Sequence, residues 1–253
     1  MKATTYEYGD DSLPEAVMVS GKERPTERQA VDKLGASARH RGGGMDRSAR
    51  FWDRIAARYA RRPVADEAAY QRKLEITREY LRPDMEVMEF GCGTGSTAIV
   101  HAPYVKHIRA VDISSRMLDI ARRKAEAAGI DNITFEQSSI DDLEVPARSL
   151  DVVLGLSILH LLEHKDAVIA KVHDMLKPDG VFVSSTACLG DSQNWLRFVA
   201  PIGRRLGLIP FVSFFTKEDL RQSLGRAGFE IEHSWQPAKG KAVFMVAKKA
   251  KRP

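Results

Sequence analysis

The sequence predicts a single doubly wound α/β domain with a mostly parallel sheet, and three observations lead to that prediction. From Met85 onward, short apolar runs alternate with helical segments. A glycine-rich turn joins the first of these runs to a helix, and an acidic residue ends the second run. The 253 residues are 43% hydrophobic and 29% charged, a balance that suits one substantial core with appendages.

The region before the alternation is predicted to contain a leader and a helical cover. Residues 1–45 show no sustained period and include the run RGGG, so we expect a flexible leader. One apolar face of a first helix is formed by Phe51, Trp52, Ile55 and Tyr59. A second helix fits Asp66–Leu81 and is stopped by Pro83.

The alternation then fixes the order of the remaining elements. Strands are predicted at Glu86–Phe90, Ile108–Asp112, Ile133–Gln137, Asp151–Leu156, Gly180–Ser185, Glu230–Trp235 and Ala242–Ala247. Helices fit at Ser96–Ala102, Ser115–Ala128, Lys165–Leu176 and Thr216–Ala227, and Lys177–Gly180 is predicted to be a turn. The domain is therefore expected over residues 46–248, with an insertion at 189–215.

The net charge of +5 is concentrated near the end of the chain. Six basic residues and no acidic one occur in the last stretch: Lys239, Lys241, Lys248, Lys249, Lys251 and Arg252. We favour a solvated last strand followed by a basic tail at 249–253. The alternative is a surface attracted to anionic lipid or nucleic acid.

Several protein classes do not fit this composition. The longest apolar stretch, Val152–Leu162, is shorter than the roughly 20 residues that a membrane span needs. Cys92 and Cys188 are too few for a disulfide scaffold, and no pair of histidines has the spacing of a metal site. We therefore expect a cytoplasmic protein without a metal.

The strongest local signal is the run VMEFGCGTG at Val87–Gly95. Gly91, Gly93 and Gly95 let a ligand approach the backbone, and the next helix offers unpaired N–H groups. Asp112, at the end of the following strand, can accept both hydroxyls of an adenosine ribose. Together these features predict an adenosine-containing cofactor.

Two cofactor classes compete for such a loop. The third glycine comes one residue earlier than in the dinucleotide fingerprint. Glu89 stands two residues before the first glycine, where it suits an ammonium group better than a pyrophosphate. These residues favour S-adenosylmethionine over NAD.

The motifs VMEFGCGTG, AVDIS, FEQSSIDDL, LDVVLGLSILHLL and LKPDGVFVSS occur in this order. In order and spacing the set resembles the class I S-adenosylmethionine-dependent methyltransferases, most closely the small-molecule branch with ubiquinone-biosynthesis-like enzymes. The resemblance covers about residues 48–186. It implies a Rossmann-like sheet of seven strands with the last strand antiparallel, under an N-terminal helical cover.

The resemblance also implies cofactor roles for particular residues. Glu89 and Gly91 would meet the methionyl end of S-adenosylmethionine, Asp112 its ribose, and Tyr59 its carboxylate. Ile113 and Met117 would flank the adenine, whose edge would meet Ser139 and Ile140. Family members often carry Gly-Asp where this chain has Ser138-Ser139, so the usual carboxylate contact with the adenine amino group is missing.

His160 is the candidate catalytic residue, as a general base for an acceptor that loses a proton. It follows the fourth strand, at the edge where such folds bind ligands. The alternative is a histidine that caps the strand through backbone hydrogen bonds. The remaining histidines are predicted to be less important, and His164, His173 and His233 fit solvated positions.

The insertion at residues 189–215 is rich in Trp, Phe, Leu and Ile. It is either a helical lid buried on the sheet edge or the lining of an apolar acceptor pocket. Arg197, Arg204 and Arg205 could then face a lipid surface or an acidic substrate group. We expect a small, partly apolar acceptor and no nucleic acid, and leave peripheral contact with an anionic membrane open. The alternatives are a nucleic-acid or protein methyltransferase and a non-catalytic cofactor-binding subunit.

Overall fold

The computed structural model describes residues 47–191, 200, 203–205 and 209–250, and these form a seven-stranded sheet with helices on both faces. The strands are β1 (Glu86–Phe90), β2 (His107–Asp112), β3 (Ile133–Gln137), β4 (Leu150–Leu156), β5 (Leu176–Thr186), β6 (Phe229–Trp235) and β7 (Val243–Lys249). The predicted leader at residues 1–45 lies outside the described residues.

In the part of the chain that the structure describes, six helices over ranges 47–78, 96–127, 165–175 and 217–226 accompany the strands. They are α1 (residues 47–60), α2 (Glu67–Arg78), α3 (Ser96–His101), α4 (Ser115–Ala127), α5 (Lys165–Met175) and α6 (Lys217–Arg226). Side chains fix several of the starts: Asp66 accepts from the Ala69 N–H before α2, and Thr216 forms a capping box with Asp219 before α6. Within the described ranges no helix is long and apolar enough to cross a membrane.

The strand order is β3-β2-β1-β4-β5-β7-β6. β1 to β5 are parallel, whereas β7 runs antiparallel to both of its neighbours, β5 and β6. This confirms the predicted doubly wound sheet with an antiparallel last strand. The order reverses between β1 and β4, and ligands of such sheets bind beyond the carboxyl ends of the strands at that point.

β5 begins four residues earlier than the sequence predicts. Leu150 pairs with Leu176, and the next pairing joins Val152 to Val181. The predicted turn at Lys177–Gly180 is therefore a bulge inside the strand, with Asp179 in the left-handed region at φ 63°. Lys177 Nζ lies 2.7 Å from Asp151 Oδ2 and holds the bulge against β4.

Two apolar layers, one on each face of the sheet, hold the strand ends in place. One layer lies with α5 and α6 and includes Phe90 stacked on Phe182, with ring centroids 6.2 Å apart. The other lies with α2 and α3 and includes Ile76, Val87 and Phe244. Since full burial of each large side chain stabilises the fold by about 1.5–3 kcal/mol, the sheet edge is a rigid base for a site.

Two lysines near the basic end of the chain form salt bridges or hydrogen bonds within the domain. Lys248 Nζ lies 3.4 Å from Asp179 Oδ1 and 3.9 Å from Glu232 Oε1. Lys249 belongs to β7 and donates to the carbonyls of His173 and Leu176, so the last strand extends to the first residue of the predicted tail. These contacts support the interpretation of this segment as a last strand.

The prediction of solvated positions is also wrong for two histidines. His173 packs edge-on against Phe229, with ring centroids 5.3 Å apart and a side chain that is 12% exposed. His233 lies beside Phe244, and its Nε2 atom is buried. Both are half-buried, because the strand and helix faces that carry them are partly covered by neighbouring elements.

Candidate functional site

The three glycines of the loop after β1 all have left-handed backbone angles, with φ of 66° at Gly91, 54° at Gly93 and 71° at Gly95. A Cβ on Gly91 would lie 2.7 Å from Ile158 Cγ1, and one on Gly95 would lie 2.8 Å from Ala121 Cβ. At Gly93 nothing stands within 4 Å. Gly91 and Gly95 are thus required for packing, whereas Gly93 leaves the backbone open to a ligand.

Asp112 ties this loop to the start of α4. Its Oδ2 accepts from the Gly93 N–H at 2.8 Å, and its Oδ1 accepts from the Ser114 N–H at 2.9 Å. Burial raises the pKa of Asp112, although the backbone N–H groups oppose that effect. The acceptor positions of this carboxylate that the backbone does not use can take the hydroxyls of a ribose.

Glu89 is the most perturbed acid of the site. The residue is 3% exposed, and its Oε2 atom has no hydrogen-bond partner among the described residues. Burial, and then the charge of Asp112, raise the pKa of Glu89 to about 8, while the Ala98 N–H lowers it. A buried carboxyl without a counter-ion costs free energy, and a cationic ligand would remove that cost.

α1 covers the site from the N-terminal side. Asp53, which the sequence analysis missed, accepts at Oδ1 from Ser114 Oγ at 2.6 Å and from the Arg116 N–H at 3.1 Å. Tyr59 is 45% exposed overall, yet partial burial and then the charges of Asp112 and Glu89 raise the pKa of its hydroxyl. Tyr59 therefore lies within electrostatic reach of both acids, as its predicted role requires.

The residues predicted to meet an adenine lie together beside β2 and β3. Met117, Ser139 and Ile140 are buried, and the half-buried Ile113 accepts from Gln137 Nε2 at its carbonyl. Ser139 Oγ lies 2.8 Å from Asp142 Oδ2, to which it donates, and it accepts from the Asp142 N–H. A carboxylate thus lies next to the position where the family often has one, although three residues later in the chain.

His160 lies in a short 3-10 turn, Leu159–Leu161, beyond β4. Thr186 Oγ1 lies 3.2 Å from the His160 backbone N and 3.1 Å from its Nδ1. Burial lowers the pKa of His160, so the ring is neutral near pH 7. Among the described residues only Thr186 bonds to the ring, through Nδ1, and Nε2 makes no hydrogen bond there.

The ends of β4 and β5 form the floor beside His160. Ser157 is exposed and held at φ 58°, an uncommon angle for a residue other than glycine. Its N–H donates to the Ser185 carbonyl at 2.6 Å. From the other face of the sheet, Lys73 Nζ reaches Ser185 Oγ at 3.0 Å. Sequence reasoning did not find Lys73, because nothing along the chain relates it to β5.

The described part of the insertion borders a cavity of about 500 Å³. The lining is apolar with three arginines: Arg47, Ala200, Arg204, Arg205, Pro210, Phe211, Val212 and Phe214. The Arg204 guanidinium lies 4.7 Å from the centroid of Phe211 and pairs with Glu163 at 2.6 Å. Arg197 lies outside the described residues.

The cysteines provide no reactive thiol. Cys92 and Cys188 are free and buried, and burial raises the pKa of both, that of Cys188 to about 12. Over the described ranges, no group of three or more His, Cys, Asp or Glu side chains could hold a metal ion.

Known proteins resemble this chain in sequence and in fold. Residues 87–180 match a family model described as a methyltransferase domain. The malonyl-[acyl-carrier protein] O-methyltransferase of Priestia megaterium is 27% identical over 183 residues, which are 70% of this chain and 65% of that protein. The ubiquinone biosynthesis O-methyltransferase of Actinobacillus pleuropneumoniae is 29% identical over 106 residues, 40% of this chain and 45% of that protein.

The crystal structure of the YcgJ protein from Bacillus subtilis superposes with a TM-score of 0.61 and 17% identity, over 72% of this chain and 100% of that chain. The sequence alignments span between 40% and 65% of the length of four curated relatives. The family match runs from β1 into β5 and so includes the glycine loop and Asp112. Residues 87–180 are thus a methyltransferase domain, and the sheet and motifs around them resemble those of the class I S-adenosylmethionine-dependent methyltransferases.

Proposed function

We propose that the chain binds S-adenosylmethionine and methylates a small, partly apolar acceptor. Glu89 carries this proposal, because its buried carboxyl has an unpartnered oxygen beside the glycine loop and Asp112. Two neighbouring buried acids fit a ligand with a cationic end and two hydroxyls. A dinucleotide would instead bring anionic phosphates to the same loop.

Each part of the cofactor has a group suited to it. Glu89 would accept from the ammonium group and Asp112 from the ribose hydroxyls, while the open backbone at Gly93 leaves space for the ligand. Ser139 and Asp142 would share the adenine amino group. When bound, S-adenosylmethionine supplies a methyl group on a positively charged sulfur, a good leaving group.

His160 would remove the proton from an acceptor hydroxyl. For Nε2 to act as the base, Nδ1 must carry the ring proton. The Nδ1–H group then donates a hydrogen bond to Thr186 Oγ1. A hydroxyl oxygen has two lone pairs, so Thr186 can accept from both Nδ1 and the His160 backbone N–H. Thr186 would thus orient the ring, and its hydroxyl is compatible with that tautomer. A base at Nε2 would serve an acceptor whose hydroxyl oxygen is methylated, because that hydroxyl must lose its proton.

The cavity at the insertion supports an acceptor with an apolar body. Phe211, Phe214 and Val212 offer apolar surface, and Arg205 adds positive charge, since the charge of Arg204 is paired with Glu163. Two relatives are named for malonyl-[acyl-carrier protein] and for ubiquinone biosynthesis, names that suggest acceptors with apolar and acidic parts.

Binding and product measurements test the proposal. Calorimetry should show that S-adenosylmethionine and S-adenosylhomocysteine bind and that NAD does not. Glu89→Gln should weaken both ligands, whereas Glu86→Gln, at the other end of β1 and paired with Lys106, should not. Incubation with cofactor and metabolite pools should then yield a product heavier by one methyl group. Tighter binding of NAD than of S-adenosylhomocysteine would contradict the proposal.

The alternative acceptors gain no support from the described residues. A nucleic-acid acceptor was suggested by the basic end of the chain, where Lys248 and Lys249 are held by acidic side chains and backbone carbonyls. Peripheral contact with an anionic membrane and a cytoplasmic location stay predictions from the sequence.

A further inference from the structure

Lys73 on α2 brings a positive charge to the carboxyl end of the sheet, on the acceptor side of the site. We infer that Lys73 selects acceptors that carry an anionic oxygen, either a carboxylate or an ionised hydroxyl. The inference rests on the proposed function, because it assumes that an acceptor binds beside His160.

The position of Lys73 follows from one hydrogen bond and the register of β5. Its Nζ lies 3.0 Å from Ser185 Oγ, and the next residue, Thr186, holds His160. Successive side chains of a strand point to opposite faces, so Lys73 and His160 reach the same strand end from opposite faces. The exposed Ser157, whose N–H bonds to Ser185, also lies at this edge. An acceptor beyond the strand ends would therefore lie between the two side chains.

Within the ranges that the structure describes, no carboxylate forms a salt bridge with Lys73. The side chain is half-buried, and among the described residues its only hydrogen bond is to the neutral Ser185 hydroxyl. Burial lowers the pKa of Lys73, and the charge of Asp66 opposes this only partly. By contrast, the partly covered Lys165 and Lys177 each have a carboxylate within 2.7 Å.

An ammonium group in this state favours an anionic ligand. One of its three N–H donors is used by Ser185, and two remain for a carboxylate or phenolate oxygen. A charge withdrawn from water regains free energy when it meets an opposite charge. For a carboxylate, Lys73 would anchor the acceptor. For a hydroxyl, it would favour the ionised form, with the released proton taken by His160.

Matched pairs of probes test this role without a known substrate. Calorimetry on the protein saturated with S-adenosylhomocysteine would compare 4-phenylbutyrate with 4-phenylbutyramide, and ionised 4-nitrophenol with 4-nitroaniline. The variants are Lys73→Met, which removes the charge at similar length, and Lys73→Arg, which keeps it. Lys171→Met is the control, a half-buried lysine on α5 that donates to the Asp141 carbonyl. Thermal unfolding checks that each variant folds.

The wild type and Lys171→Met should bind the anion of at least one pair more tightly, by roughly 10–100-fold, the range for one charge-assisted hydrogen bond. Lys73→Met should lose that preference, Lys73→Arg should keep most of it, and affinity for S-adenosylhomocysteine should not change. The probe pair whose preference is lost in Lys73→Met shows whether Lys73 recognises a carboxylate or an ionised hydroxyl. The inference would be overturned if the wild type showed no preference for the anion, and this includes the case in which no probe binds. It would also be overturned if Lys73→Met kept the preference. Failure of the wild type to bind S-adenosylhomocysteine would instead contradict the proposed function.

Discussion

Binding of S-adenosylhomocysteine should expel the proton that Glu89 holds in the empty site. With its pKa raised to about 8, the carboxyl carries about 0.9 of a proton at pH 7. An ammonium group beside the carboxyl favours its charged form and lowers the pKa again. Binding at pH 7 should therefore release close to one proton, and affinity should rise nearly tenfold per pH unit below pH 8.

The proton release can be measured by calorimetry in two buffers of different ionisation enthalpy, such as phosphate and Tris. The difference in binding enthalpy, divided by the difference in buffer enthalpy, gives the number of protons. Glu89→Gln should release far fewer, and Glu86→Gln should match the wild type. Equal enthalpies in the two buffers, or undiminished release in Glu89→Gln, would refute the reasoning.

The same carboxyl affects the stability of the empty protein. An unfolded glutamate loses its proton near pH 4.5, whereas Glu89 in the folded protein keeps it up to about pH 8. The folded state thus binds more protons between these values, so the free energy of unfolding should fall as the pH rises through that window. Glu89→Gln should flatten this part of the profile in a urea titration series.

Three further predictions concern the loop and the acceptor edge. Gly93→Val should abolish binding of S-adenosylhomocysteine at a stability cost of only about 1–2 kcal/mol for backbone strain, whereas Gly95→Val should cost more because its Cβ meets Ala121 at 2.8 Å. Equal losses in the thermal midpoint would contradict this distinction. Asp112→Asn should weaken S-adenosylhomocysteine binding by roughly 10–100-fold in calorimetry, since the ribose loses a charged acceptor, and unchanged affinity would exclude that contact. His160→Gln should lower turnover on a hydroxyl acceptor by roughly 10²–10⁴-fold with cofactor affinity intact, and wild-type activity should fall as the pH drops below the pKa of His160, which burial lowers from 6.5. Full activity of a stable His160→Gln protein on such an acceptor would remove the residue from the mechanism.

The fold was predictable because its strands are short apolar runs bounded by polar turns. Six of the seven strands begin and end within two residues of their predicted bounds. β5 is the exception, since Lys177–Gly180 has the composition of a turn and yet remains paired as a bulge. The residue types at Lys177–Gly180 indicate only the local conformation. The salt bridge that keeps the bulge in the sheet joins Lys177 to Asp151, which is distant in the sequence.

The sequence predicts candidate site residues where they lie within or beside recognisable motifs. The loop, Glu89 and Asp112 were found because their spacing is a recognisable unit. Asp53 was missed because its partner Ser114 lies 61 residues away, and Lys73 was missed because Ser185 lies 112 residues away. Such contacts depend on how helices lie across the sheet.

The strand order also determines when the cofactor loop can form during folding. Val87 of β1 pairs with Val152 of β4, far along the chain, and Ile158 just beyond β4 packs where a Cβ on Gly91 would stand. The loop therefore reaches its final shape only after β4 has docked, and such distant pairings form slowly. A ligand that binds only the completed loop is not expected to increase the folding rate. Its protection should appear as slower unfolding, so that the occupied protein is long-lived rather than quick to form.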